Sequence, residues 1–284
     1  MGFERDVTME KLQAALARAR EKRDNDGRPI RTEYTKPGRG RQRLAREEAT
    51  AALWDEIPMF EPKGKRMHQS RIYSSEASIE AQHFDILRTK LLLEMRRNDW
   101  TRIAITSATP GCGKTTMACN LITGFGRQPE DRGMLFDMDF RRPAVAKAFG
   151  AAPAASLEDV FLGNVEFRDQ ALRMHPNTSV SMTTRSVADP ARVILRSQTA
   201  EILDRVQADY QPDMMLFDMP PVLVSDETRG FLKLVDAVVI VAGAESSTVS
   251  QIDEVEREVA QYSNVAGIVL NKCRFMEDGY GYTY

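Results

Sequence analysis

The feature that most narrows what this chain can become is the stretch Arg102–Thr116, RIAITSATPGCGKTT. It opens on alternating β-formers, Ile103 and Ile105 beside Ala104 and Thr106. It then breaks into Pro110, Gly111 and Gly113 and ends on Lys114-Thr115-Thr116. A strand running into a glycine-rich turn that ends in Gly-Lys-Thr, just ahead of a helix, is an arrangement for holding phosphate. Gly111 and Gly113 let the loop turn so that its N–H groups face anionic oxygens. Lys114 brings a positive charge towards the β- and γ-phosphates, and Thr115 offers a hydroxyl to Mg²⁺. The helix that follows presents its positive N-terminal end to the anion. Pro110, Gly111, Cys112, Gly113, Lys114, Thr115 and Thr116 are therefore the expected contacts for ATP. The pattern G-x-x-x-x-G-K-[ST] is broken only at its first position, where Ala108 stands. An ordinary strand–turn–helix corner does not account for a lysine directly behind Gly-Cys-Gly, where a buried amine needs an anion to offset its desolvation.

Two acidic stretches follow the same logic. In Gly133–Pro143, GMLFDMDFRRP, a short apolar strand ends on Asp137 and Asp139, with Arg141 and Arg142 next. In Pro212–Asp226, PDMMLFDMPPVLVSD, an apolar run ends on Asp218, and Pro220-Pro221 bars a helix. Strand ends are where open parallel sheets bind ligands. Carboxylates there are costly unless they meet a metal, a proton or a cation. A single Asp closing a buried strand is the pattern that holds Mg²⁺ directly or through water. Asn177–Thr183, Asp236–Ala242 and Val265–Leu270 read as further strands, the last closed by Asn271 and Lys272. Helical periodicity marks 78–97, 189–209 and 249–262. This alternation predicts an α/β fold of three layers, a P-loop NTPase fold with a mostly parallel central sheet and helices on both faces. Six strands are expected, with room for a seventh.

Composition bounds the rest. The 284 residues, 42% hydrophobic, suffice for one sizeable core with sequence to spare. A net charge of −2 gives no global attraction to nucleic acid, and no such partner is expected. No apolar run approaches the roughly 20 residues of a membrane-spanning helix. The N-terminus lacks an apolar leader, and three cysteines without a C-x-x-C pair fit a reduced, cytoplasmic chain. Cys112, inside the phosphate loop, reads first as a small tolerated residue; the sharper alternative is a redox brake on nucleotide binding. Residues 1–70 are expected to be a partly helical extension. It comprises a short amphipathic helix over 8–23, a basic linker with seven cations against Glu33 between Arg28 and Arg46, and a second helical run over 47–54. Basic residues outnumber acidic ones there, and the reverse holds beyond. Residues 71–272 form the expected nucleotide-binding domain. Residues 273–284, CRFMEDGYGYTY, hold three of the seven tyrosines in the last five positions, Tyr280, Tyr282 and Tyr284. They read either as an edge strand or as a tethered cluster of phosphoacceptors.

Together these motifs, ATPGCGKTT, DMDFRRP, MMLFDMPPV, VLNK and the tyrosine-rich end, resemble the cytoplasmic domain of bacterial tyrosine kinases of the polysaccharide-export CpsD/CapB branch, over roughly residues 78–284. The resemblance implies an ATP-dependent protein-tyrosine autokinase. Lys114, Asp137 and Asp139 would be its catalytic residues; Thr115, Asp137 and Asp218 would arrange Mg²⁺; and Asn271 would face the nucleotide base. Tyr280, Tyr282 and Tyr284 would be phosphorylated in trans within a homo-oligomer. It further implies control of exopolysaccharide or capsule synthesis, a tyrosine phosphatase, and a position at the inner face of the plasma membrane. The membrane-spanning activator domain that many members carry has no counterpart here, so a separate membrane-anchored activator, a chain-length determinant protein, is expected. The family's E-x-x-R-x-x-R assembly motif aligns with Gln82, Asp85 and Arg88, keeping only its last arginine. A MinD/ParA-type ATPase switch shares the fold but carries a second lysine where Thr109 stands. A non-catalytic nucleotide-binding regulator is the other alternative.

Overall fold

The computed structural model describes residues 40–76 and 78–273, with side chains from residue 46 onward. The helix expected over 8–23, the linker as far as residue 39, and Tyr280, Tyr282 and Tyr284 lie outside these residues.

Seven strands form one sheet: β1 (Arg102–Thr106), β2 (Gly133–Asp137), β3 (Leu172–His175), β4 (Thr178–Ser181), β5 (Met214–Asp218), β6 (Ala237–Gly243) and β7 (Asn264–Asn271). Their order is β3-β4-β2-β5-β1-β6-β7. All neighbours are parallel except β3 and β4. Strands buried on both faces read as continuous apolar runs rather than alternating ones. The side chains nonetheless sort by the pleat. Ile103, Ile105, Leu135, Met214, Leu216 and Val239 join one core, while Ala104, Met134, Phe136, Met215, Phe217 and Val238 join the other. On the first face lie α3 (Ile79–Asn98) and α4 (Lys114–Phe125); the second is covered chiefly by α9 (Ser197–Tyr210) and α11 (Val249–Val259). This is the three-layer arrangement that the sequence predicts.

Helix α3 starts where the sequence places it. Ser78 is extended, and its side chain accepts from Ala81 N at 3.1 Å. The helix ends on Asp99 in the left-handed region. Two expectations are corrected. The segment before residue 71 is not a separate extension throughout. Helix α1 (Gly40–Glu56) brings Trp54 and Ile57 into the core at 2% and 1% exposure, and Trp54 Nε1 donates to Tyr210 O at 2.8 Å. Helix α2 (Gly64–Gln69) then leads into Gln69–Arg71. The expected helix over 189–209 is two helices, α8 (Ala191–Ile194) and α9, parted at Leu195–Arg196. The seventh strand, for which the sequence leaves room, is β3, which pairs antiparallel with β4 across Pro176-Asn177. It holds a buried arginine, Arg173, bonded to Asp55 at 2.6 Å, which masks its apolar pattern. Among the described residues no helix is long and apolar enough to cross a membrane.

Because Trp54 fills the core rather than capping a loose arm, Trp54→Ala should destabilise the chain by about 3–5 kcal/mol. Urea unfolding followed by circular dichroism measures this; a change under ~0.5 kcal/mol, typical of surface positions, would place α1 outside the cooperative domain.

Candidate nucleotide site

The strand register builds the site. β2 pairs with β5 so that Asp137 stands opposite Asp218, and Asp218 in turn stands opposite Ile105 of β1. Both carboxylates and the loop after β1 therefore meet at one edge of the sheet. In that loop Gly111 and Gly113 have φ of +84° and +96°. A Cβ on Gly113 would lie 2.2 Å from Asn271 Nδ2, so glycine is required there twice over. Lys114 opens α4 and is 7% exposed. A cavity of about 770 Å³ lies over the loop. Pro110, Gly111, Gly113, Lys114, Thr115 and Thr116 line it from one side, and Asp139, Arg141 and Arg142 from another.

Thr115 Oγ1 donates to Asp218 Oδ2 at 2.6 Å. Asp137 Oδ2 accepts from Ala144 N and Val145 N at 3.3 and 3.1 Å, capping the start of α5 (Val145–Phe149). The remaining oxygens, Asp137 Oδ1 and Asp218 Oδ1, are buried without a hydrogen-bond partner. Burial and the Asp218 charge push Asp137 well above the usual carboxylate range. Burial raises Asp218 to about 7, against the pull of the Thr115 hydrogen bond and the Lys114 charge. Two orphaned carboxylate oxygens beside a hydroxyl make an all-oxygen donor set, which suits Mg²⁺. Among the described residues no group of three or more His, Cys, Asp or Glu could hold a metal.

The structure separates the two candidates for work on an incoming hydroxyl. Asp139 lines the cavity, with Oδ1 accepting from Arg142 N at 3.0 Å; Asp137 lies behind it, fully buried. Asn271, expected to face a base, lies at the end of β7 beside the phosphate loop. Its Nδ2 donates to Cys112 O at 2.9 Å, so its amide holds the phosphate loop, and the next residue, Lys272, lines the cavity. Cys112 is 1% exposed, its Sγ donating to Thr109 O at 3.3 Å, so the thiol is shut away from solvent. Burial alone would raise it, but hydrogen bonds from Ser247 and Thr109 outweigh that and leave it lowered.

Several lining residues carried no motif. Gln69, Ser70 and Arg71 reach the cavity because Asn120, fully buried on α4, accepts from Tyr73 N at 2.8 Å and donates to Arg71 O at 2.8 Å. Glu227, in α10 (Asp226–Phe231), has a fully buried side chain and binds Arg141 Nε at 2.6 Å and Nη2 at 3.3 Å. Burial would raise this carboxyl, yet hydrogen bonding, first of all from Arg141, brings it down to about 2. The pair ties the loop bearing Asp139 to the helix that follows Asp218. No sequence signal joins these two residues, which lie 86 positions apart.

The raised Asp218 carboxyl gives a stability–pH prediction. The folded chain holds a proton between pH 3.8 and about 7 that the unfolded chain has lost. This contribution is whole below the unfolded value and gone above about 7, so the nucleotide-free chain should lose stability as pH rises through that window. Asp218→Asn should flatten the slope. Denaturant titrations across the window measure both; an unchanged slope in Asp218→Asn would overturn the assignment.

Residues 103–277 match the CobQ/CobB/MinD/ParA nucleotide binding domain family. AmsA of Erwinia amylovora is 28% identical over 211 residues, covering 73% of this chain and 28% of AmsA, so the chain spans little more than a quarter of that relative. Tyrosine-protein kinase YwqD of Bacillus subtilis is 26% identical over 225 residues, covering 78% of this chain and 93% of YwqD. The kinase domain of the Escherichia coli tyrosine kinase ETK has the same fold, with a TM-score of 0.63 at 22% identity over 72% of this chain and 80% of that one. The cell division ATPase MinD of Pyrococcus furiosus gives a TM-score of 0.51 at 22% identity over 60% of this chain and 71% of that one. The match over 103–277 takes in the phosphate loop, Asp137, Asp139, Asp218 and Asn271, and with them more than half of the sequence: the chain belongs to the CobQ/CobB/MinD/ParA nucleotide-binding domain family.

Proposed function

We propose that this chain is an ATP-dependent protein-tyrosine kinase whose acceptors are Tyr280, Tyr282 and Tyr284 of a second copy. The observation that carries the reading is the attachment of the tail. The tyrosine-bearing residues follow directly on β7, whose last residue, Asn271, is bonded to the phosphate loop. The names of relatives such as YwqD support the same chemistry.

In this mechanism the loop amides and Lys114 hold the triphosphate and offset its charge. Thr115, Asp137 and Asp218 would hold Mg²⁺, which when bound neutralises charge on the β- and γ-phosphate oxygens. Asp139, facing the cavity, orients the tyrosine hydroxyl and accepts its proton. The phenolic oxygen bonds to the γ-phosphorus, the bond from that phosphorus to the β,γ-bridging oxygen breaks, and ADP leaves. Little covalent chemistry falls to the protein in such a transfer, so positioning and electrostatics dominate. Phosphate added to the tail brings negative charge near Asp139 and weakens its docking, giving a cycle of assembly and release. We place the chain at the inner face of the plasma membrane, in exopolysaccharide or capsule synthesis, with a separate membrane-anchored activator and a tyrosine phosphatase as partners.

Incubation with Mg²⁺ and ATP, followed by mass spectrometry of the C-terminal peptide, tests the reading. Phosphate is expected on Tyr280, Tyr282 or Tyr284, with the rate falling about 100-fold or more in Lys114→Met and in Asp139→Asn. Steady ATP hydrolysis without phosphotyrosine, even with an activator's cytoplasmic segment present, would instead mark an ATPase switch of the MinD kind.

A further inference from the structure

A second, smaller lobe opens beside the nucleotide cavity. This lobe, of about 340 Å³, adjoins the main cavity and shares Gln69, Ser70, Thr115 and Thr116 with it. Its distinctive walls are Arg66 and Lys147, with Ala144 and Ala148 between them. Among the described residues neither cation has a carboxylate within salt-bridge distance, whereas Arg141 on the other side of the main cavity is held by Glu227.

The wall is built rather than incidental. Lys63 N donates to Phe149 O at 2.8 Å, joining the start of α2 to the end of α5. Gly150 follows with φ of +65°, and a Cβ there would lie 2.8 Å from Lys63 Cδ and 3.0 Å from Arg66 Cγ. The glycine thus admits the stems of both side chains against the backbone, which directs the Arg66 guanidinium to the lobe. On the inner side, Thr116 Oγ1 donates to Ser70 O at 3.3 Å, fixing the shared edge to the phosphate-binding helix.

From this geometry we infer that the lobe is a subsite for paired carboxylates of the acceptor peptide, and that its occupant is the Glu277-Asp278 pair in the tail of a second copy. The inference rests on the kinase reading above and adds a determinant of substrate choice to it. Glu277 and Asp278 are the only acidic residues in 273–284, and they precede Tyr280 by three and two positions. An extended chain advances roughly 3.3 Å per residue, so in a peptide bound in extended form the pair would stand about 7–10 Å from the acceptor tyrosine. That span fits a lobe sharing Thr115 and Thr116 with the cavity where the hydroxyl must arrive. Carboxylates brought this close to a triphosphate need cations of their own, because Lys114 is already engaged with the nucleotide. Arg66 and Lys147, both solvent-exposed, supply them, and at such a site charge complementarity chiefly sets specificity.

Fluorescence anisotropy of a labelled peptide of residues 274–284 tests this on the full chain, with a non-hydrolysable ATP analogue and Mg²⁺ present. A peptide carrying Glu277→Gln and Asp278→Asn should bind about ten-fold more weakly than the native one. Arg66→Glu with Lys147→Glu should weaken the native peptide by a similar factor, leave affinity for a fluorescent ATP analogue within about two-fold, and bind a Glu277→Lys, Asp278→Lys peptide better than the wild-type chain does. Equal binding of native and neutral peptides, no measurable binding of either, or failure of the charge reversal would overturn the subsite. Acid-dependent peptide binding without phosphotyrosine would support the subsite and count against the kinase reading alone.

Discussion

Asp137 and Asp218 are pressed side by side at the ends of two adjacent parallel strands, out of reach of water. Taking carboxylates out of water is expensive, and placing two together adds repulsion. The surroundings relieve this only in part. Thr115 donates to one carboxylate, and the first N–H groups of a short helix donate to the other. One oxygen of each is left without a partner. A site left short of positive charge in this way favours whatever brings it, and a divalent cation carried by a triphosphate meets the need directly. Ligand affinity and the strain of the unliganded fold are two views of one desolvation.

The rest of the architecture keeps that arrangement rigid. Both core clusters press on the strands that carry the carboxylates, so neither strand can slip register without moving a full set of large side chains to the wrong face. Arg141 and Glu227 brace the loop beyond Asp137 against the helix beyond Asp218. Asn120 does the same for the segment before α3. Each brace links parts far apart in sequence, which suits chemistry that depends on placement more than on reactive groups.

Much of this was legible in the sequence because its signals are local. A strand, a glycine turn and Gly-Lys-Thr are contiguous, as are the apolar runs ending on Asp137 and Asp218. What stayed hidden depends on contacts across the fold. Trp54 sits in a charged, Pro-flanked stretch that reads as an arm, and only its docking against Tyr210 shows it as core. Arg66 and Arg71 look like linker charges until α2 is laid against α5. Asn271 was visible as a residue at a strand end, but its partner could not be read from spacing. Asp137 was read as a metal ligand, and its hydrogen bonds to the start of α5 follow from the turn after Asp139, which no motif describes.

The bond between Asn271 and the carbonyl of Cys112 spans 159 residues. The loop that defines this domain therefore leaves the ribosome well before the strand that props it. A nascent chain has the phosphate-binding residues long before they are held in shape. Competence to bind nucleotide therefore waits on β7, and a chain without that strand would keep every motif of the loop and still lack the strut beneath it.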